Sequence, residues 1–165
     1  MIADLKQVFV NENTSLPLLY SLDMSAVEFS GVFPLKKPAT LSGAVFNKAS
    51  LVEIDAVISY VYGAPCDRCG VFAEKEHTVR LKKPLAPKIE GEGSDTILLV
   101  PDMKLDLDEL VYTEVITDIP MKHLCRPDCK GLCSKCGKNL NGGACGCPEK
   151  DIDPRLSELA ELLND

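Results

Sequence analysis

The stretch C-R-P-D-C-K-G-L-C-S-K-C-G-K-N-L-N-G-G-A-C-G-C, residues 125–147, decides how the whole chain is read. Six of the eight cysteines fall inside it, and the other two, Cys66 and Cys69, form a close pair upstream. A Cys-x-x-Cys turn points two thiolates at one tetrahedral ion, with Zn–S of about 2.3 Å. A glycine directly after the turn lets backbone N–H groups face the sulfurs. Cys66-Asp67-Arg68-Cys69-Gly70 and Cys133-Ser134-Lys135-Cys136-Gly137 both have this form.

Each knuckle supplies two ligands, and a structural zinc takes four. Proximity pairs Cys133 and Cys136 with Cys145 and Cys147 across the short Gly-rich loop 138–144. Cys125 and Cys129 are then left to complete the set begun by Cys66 and Cys69. One or two structural Zn2+ ions are therefore expected, one local to the tail and one stapling distant segments. A redox dithiol at Cys66 and Cys69, disulfides and an iron–sulfur cluster are the competing readings. A thioredoxin-like pair, however, sits near a βαβ pattern, and here the pair sits at the tip of a hairpin. Catalytic zinc usually takes His or a carboxylate and keeps an open position. His77 and His123 are the only histidines. His123, two residues before Cys125, could be a substitute ligand, but is read first as a surface residue or a neighbour of the site. No phosphate-cradling glycine loop, nucleophile elbow or paired acid motif is present, so neither an enzyme nor a small-molecule substrate is expected.

Working outward, 165 residues suffice for one real core with a small appended module. The expected division is a β-rich body over 1–129, with the Cys hairpin and a helix, and a Cys-rich tail with a terminal helix over 130–165. Close-spaced cysteines in a chain able to bury a core point to metal rather than a disulfide framework. The start, M-I-A-D-L-K-Q-V-F-V, has an early acid and no long apolar run, and no stretch approaches a membrane span. A reducing cytoplasmic setting without membrane contact is the expectation. The net charge of −7 is uneven: residues 1–121 carry 11 Lys plus Arg against 18 Asp plus Glu. Lys122, Arg126, Lys130, Lys135 and Lys138 face only Asp128 over residues 122–138. These cations, with Arg68, can offset the −2 charge of a Zn(Cys)4 centre. Arg68, Lys130, Lys135 and Lys138 are also the candidates for contacting nucleic-acid phosphates. The chain has no Trp and few aromatics, which argues against a groove of stacking rings.

The local pattern predicts an α+β chain. Residues 4–9 read as a short strand and 11–17 as a loop. Val27, Phe29 and Val32 or Phe33 read as another strand, Leu41 to Phe46 as a third, and Asn47-Lys48 as a turn. Leu51 to Tyr62 is the clearest strand, with Val52, Ile54, Ala56, Ile58 and Tyr60 alternating onto one face. A hairpin tip over Gly63–Gly70 leads to a strand over Val71–Leu81. Lys82 to Ser94 reads as an exposed loop, and Thr96 to Val100 as a short buried strand. A helix near 106–118 is signalled by Asp106 as cap, Glu109 at the capping-box position, and Leu107, Leu110, Val111 and Val115 at helical spacing before Pro120. A second helix is signalled by Asp153 and Pro154 ahead of Leu156, Leu159, Ala160 and Leu163.

The string D-C-K-G-L-C-S-K-C-G-K-N-L-N, with C-G-C after it and D-P-R-L-S-E-L-A-E-L-L beyond, resembles the YceD-like family of large-subunit ribosomal RNA accumulation proteins. The upstream C-D-R-C hairpin and the L-D-L-D-E-L-V helix start resemble the same family. The resemblance implies a small antiparallel β-rich α+β domain acting in ribosome biogenesis without catalysis. Large-subunit ribosomal RNA or a ribosomal protein is the implied partner. A zinc-stabilised protein–protein adaptor in transcription and a thiol redox protein are the alternatives.

Overall fold

A long alternating strand sets the architecture. The computed structural model describes residues 1–29, 31–88 and 96–147, and the chain divides into two compact units, residues 1–125 and 126–165. In the first unit the strand of the Val52–Tyr60 alternation, β4, runs Leu51–Pro65 at the centre of a five-stranded sheet. The sheet order is β2 (Ser15–Leu22), β3 (Ala39–Lys48), β4, β5 (Phe72–Ala86) and β6 (Leu98–Leu99). Val52, Ile54, Ala56, Ile58 and Tyr60 are all buried, as a period of two requires for a sheet with one covered face.

Register follows from this face. Leu41 pairs with Ile58 and Val45 with Ile54, so the apolar sides of β3 and β4 coincide. The turn between them is two residues long, Ala49 and Ser50, both at positive φ (49° and 64°). That is the primed hairpin geometry that matches strand twist. Asn47 and Lys48, expected as the turn, instead complete β3, and Asn47 is buried with its Nδ2 donating to the Val8 carbonyl at 2.8 Å. Gly43 leaves no room for a side chain between β3 and β4: a Cβ there would stand 2.4 Å from the Ala56 Cα.

The helix over the sheet, α2, spans Leu107–Asp118. Asp106 caps it by accepting from the Asp108 N–H at 2.9 Å, satisfying one orphan donor of the first turn. Leu107, Leu110, Val111 and Val115 are buried in the core shared with β3 and β4. Tyr60 donates to Asp118 at 2.7 Å and Lys83 to Glu114 at 2.7 Å, tying both long strands to the helix. A two-stranded ribbon, β1 (Ile2–Asp4) with β7 (Lys104–Asp106), closes one end.

Several expectations are corrected. Residues 4–9 are a strand only through Asp4. Leu5, Val8 and Phe9 have helical spacing and wind into α1, Lys6–Val10, with Leu5 and Val8 buried. The loop expected over 11–17 ends early, because β2 begins at Ser15 and carries Pro17 on an edge strand, where a missing N–H is tolerated. Among the described residues, Val27 to Phe33 makes one bridge, Phe29 with Val32, next to Gly31 at φ +80°. Lys82–Ala86 continues β5 instead of looping, since Leu81 and Leu85 still reach the core. The strand over 96–100 shrinks to Leu98–Leu99 and lies parallel to β5, so the sheet is not wholly antiparallel. The helix expected from Asp153 lies outside the described residues. No helix among the described residues is long and apolar enough to cross a membrane.

Candidate metal centres

The first centre grows from the end of the longest strand pair. The β4–β5 ladder runs out at Pro65 opposite Phe72. The tip then closes on itself, Cys66 N–H donating to the Val71 carbonyl at 2.9 Å and Gly70 N–H to the Cys66 carbonyl at 2.8 Å. Gly70 has φ +70°, the left-handed turn that glycine makes without strain. Cys66 and Cys69 are 2% and 6% exposed, so these sulfurs sit in protein rather than water.

A second segment is pinned to this tip. Asp67 N–H donates to the His123 carbonyl at 2.9 Å, and His123 N–H returns a bond to Asp67 Oδ2 at 2.6 Å. This reciprocal pair delivers Cys125, whose Sγ lies 3.6 Å from that of Cys69. The sulfurs of Cys66, Cys69 and Cys125 all lie within 4.8 Å of one another. Burial opposes ionisation of Cys66, but backbone N–H groups of Cys125, Arg68 and Cys69 aimed at its sulfur outweigh it and bring the thiol down to about 6. Sulfurs grouped this closely could hold a metal ion.

His123 is close by but is not one of the grouped ligands. It is 4% exposed, its ring meets Tyr62 edge-on at 5.1 Å, and its Nε2 lies 3.0 Å from the Ala73 carbonyl. A carbonyl only accepts, so Nε2 is the donor there, and Nδ1 is buried with no hydrogen-bond partner among the described residues.

The second unit builds its own thiol group. Cys133-Ser134-Lys135-Cys136-Gly137 repeats the hairpin turn: Gly137 has φ +72° and donates to the Cys133 carbonyl at 2.9 Å, and Lys135 N–H reaches Cys133 Sγ at 3.4 Å. The sulfurs of Cys133, Cys136, Cys145 and Cys147 all lie within 4.8 Å of one another. N–H groups of Cys136 and Lys135 hold Cys133 down at about 6, whereas hydrogen bonds shared with Cys136 and Cys145 push Cys147 up to about 12. Four sulfurs this close cannot all ionise unaided, and a cation removes the conflict.

One residue that motif reading passed over organises this unit. Asn141 donates from Nδ2 to Cys129 Sγ at 3.3 Å, while its Oδ1 accepts from Lys130 N–H and from Arg126, both at 2.8 Å. Its own N–H is held by Asn139 Oδ1 at 2.9 Å. The signal was the N-L-N string, in which an Asx side chain bonds its own backbone two residues on.

The residues proposed for phosphate contact are Arg68 on the hairpin tip and Lys130, Lys135 and Lys138 in the second unit, all exposed. Lys138 Nζ donates to the Ala144 carbonyl at 3.0 Å and so helps close the cysteine loop. The donor chemistry, clustered cysteine sulfurs of which Cys66 and Cys133 receive backbone N–H bonds, fits a soft, thiophilic metal ion in both units.

A family model described as "Large ribosomal RNA subunit accumulation protein YceD" matches residues 54–163. An uncharacterized protein of Mycobacterium tuberculosis is 38% identical over 74 residues, 45% of this chain and 35% of that protein. A large ribosomal RNA subunit accumulation protein YCED homolog 1, chloroplastic, from Arabidopsis thaliana is 24% identical over 160 residues, 79% of this chain and 50% of that one. Its Zea mays counterpart is 33% identical over 149 residues, 71% of this chain and 51% of that one. The chain thus spans about a third to a half of the length of these relatives. No solved structure matches it.

Proposed function

Since the chain belongs to the YceD family, whose members are described as large ribosomal RNA subunit accumulation proteins, we propose that it supports accumulation of large-subunit ribosomal RNA as a non-enzymatic, zinc-stabilised binding protein of the cytoplasm. Cys66, Cys69 and Cys125 hold one Zn2+, and Cys129 is its fourth ligand. Three tethered thiolates need one more, and Cys129 follows Cys125 by only four residues. Cys133, Cys136, Cys145 and Cys147 hold the second. The observation that carries this reading is the gathering of sulfurs into tight groups fed by backbone N–H donors. The metal supplies a rigid template, and rigid presentation lowers the ordering cost of binding.

Arg68, Lys130, Lys135 and Lys138 contact RNA phosphates on the surface so fixed. With three or four such contacts, affinity for single-stranded segments falls roughly 20- to 50-fold between 50 and 200 mM salt. Fluorescence anisotropy with a large-subunit ribosomal RNA fragment reads this slope. Salt-independent binding would discard the phosphate contacts. The cellular arm deletes the gene and restores it as wild type or as Lys130→Glu/Lys135→Glu, measuring large- against small-subunit ribosomal RNA. An unchanged ratio on deletion would discard the ribosomal reading itself. Purification of the protein with transcription factors and without ribosomal components would favour an adaptor.

A further inference from the structure

We propose that a pocket beside the Cys66–Cys69 hairpin binds an arginine side chain, through which the acidic first unit engages a basic protein. The pocket encloses about 470 Å³. Phe29, Tyr62, Pro120 and Met121 give it apolar and aromatic walls, and Asp67 and His123 are its polar groups. Asp67, which is exposed, is the acceptor the pocket offers. Asp67 spends Oδ2 on the His123 N–H, and its Oδ1 makes no hydrogen bond among the described residues. His123 donates from Nε2 to the Ala73 carbonyl, and its Nδ1 is buried with no hydrogen-bond partner among the described residues.

The complement of such a site is a ligand rich in N–H donors, positively charged and able to lie flat on rings. A guanidinium has five donors in a plane, stacks on aromatic faces and pairs strongly with carboxylates. Lysine offers a compact ammonium that matches the walls less well. Neither Arg68 nor Lys122 lines the pocket. Burial and, after it, the Asp67 charge raise the Tyr62 hydroxyl. Asp67 also lies between Cys66 and Cys69, so a filled Zn(Cys)4 centre would add negative charge next to it. The wider charge agrees, since residues 1–121 carry the whole net −7 of the chain. Met121, fully exposed at the rim, gives a partner an apolar foothold. This site stands or falls separately from the ribosomal reading, because it concerns which side chain the pocket accepts.

The test uses the full zinc-loaded chain and amide NMR. The probe is the blocked tripeptide acetyl-Gly-Arg-Gly-amide, compared with the same peptide carrying citrulline or lysine. The expected result is saturable shifts over residues 62–67 and 121–123 with the arginine peptide. Citrulline, which keeps the shape without the charge, should bind at least about tenfold more weakly. Asp67→Asn, which retains an oxygen for the His123 N–H, should weaken the arginine peptide by a similar factor. The citrulline comparison needs no variant, so it decides the matter even if Asp67→Asn misfolds. Equal binding of the citrulline peptide, shifts confined elsewhere, or guanosine monophosphate saturating these residues where the arginine peptide does not would overturn the proposal.

Discussion

At the scale of single residues, the cysteine sulfurs are held by neighbours such as Asn141, which donates to Cys129 Sγ at 3.3 Å. Cys66, Cys69, Cys133 and Cys136 announce themselves by spacing, because two thiols three apart with a glycine behind them have few other uses. Asn141 carries no such signal, since an Asn in a loop is ordinary until its Nδ2 is seen on Cys129 Sγ. Asn141→Ala removes that bond and the acceptor for Lys130 and Arg126. It should weaken metal retention at the centre holding Cys129 by about 10- to 100-fold, read by chelator competition. The group of Cys133, Cys136, Cys145 and Cys147 should be unaffected, and equal loss from both would show that Asn141 acts on the whole unit. Cys66 gives a pH prediction. Its thiol is lowered from 9.0 to about 6 in the fold, so the thiolate contributes stability that is present above pH 9 and is lost as pH falls through 6. In metal-free protein, the gap in urea midpoint between wild type and Cys66→Ser should narrow from pH 8 to pH 5.5. A gap that widens on acidification would reverse the assignment.

At the scale of elements, alternation and capping were legible wherever one face is buried along a whole element. β4 and α2 are the clear cases: Val52 to Tyr60 repeats every two residues, and Leu107, Leu110, Val111 and Val115 repeat at helical spacing behind Asp106. Short or edge elements were not legible. β2 contains Pro17 and leaves Leu19 84% exposed, so its pattern is that of an edge rather than a core strand. α1 is too short for a period to be told from a strand. Gly43 was equally silent, because only the meeting of β3 and β4 shows that no side chain fits there. Gly43→Ala places a Cβ 2.4 Å from the Ala56 Cα, and the strands must part to admit it. The expected cost is about 1–3 kcal/mol, read as a lower denaturation midpoint. An unchanged midpoint would mean that the two strands do not pack this closely in solution.

At the scale of the whole molecule, two features of the sequence divide the labour. The first unit has its own apolar core and the acidic excess, while the second is short, basic at its start and rich in thiols. Grouping by proximity along the chain anticipated that Cys133, Cys136, Cys145 and Cys147 gather locally, because a seven-residue glycine-rich loop brings their halves together. It also anticipated that Cys125 joins the distant hairpin, 56 residues from Cys69. The reciprocal Asp67–His123 bonds that accomplish this have no signature in the sequence. The central claim is that two metal ions sit in two separate thiolate sets. Metal analysis of the native protein beside Cys66→Ser and Cys136→Ser tests it most directly. The account predicts two zinc ions per chain in the wild type and one in each variant, with a different one lost in each. A single zinc in the wild type, or loss of both ions from either variant, would contradict it.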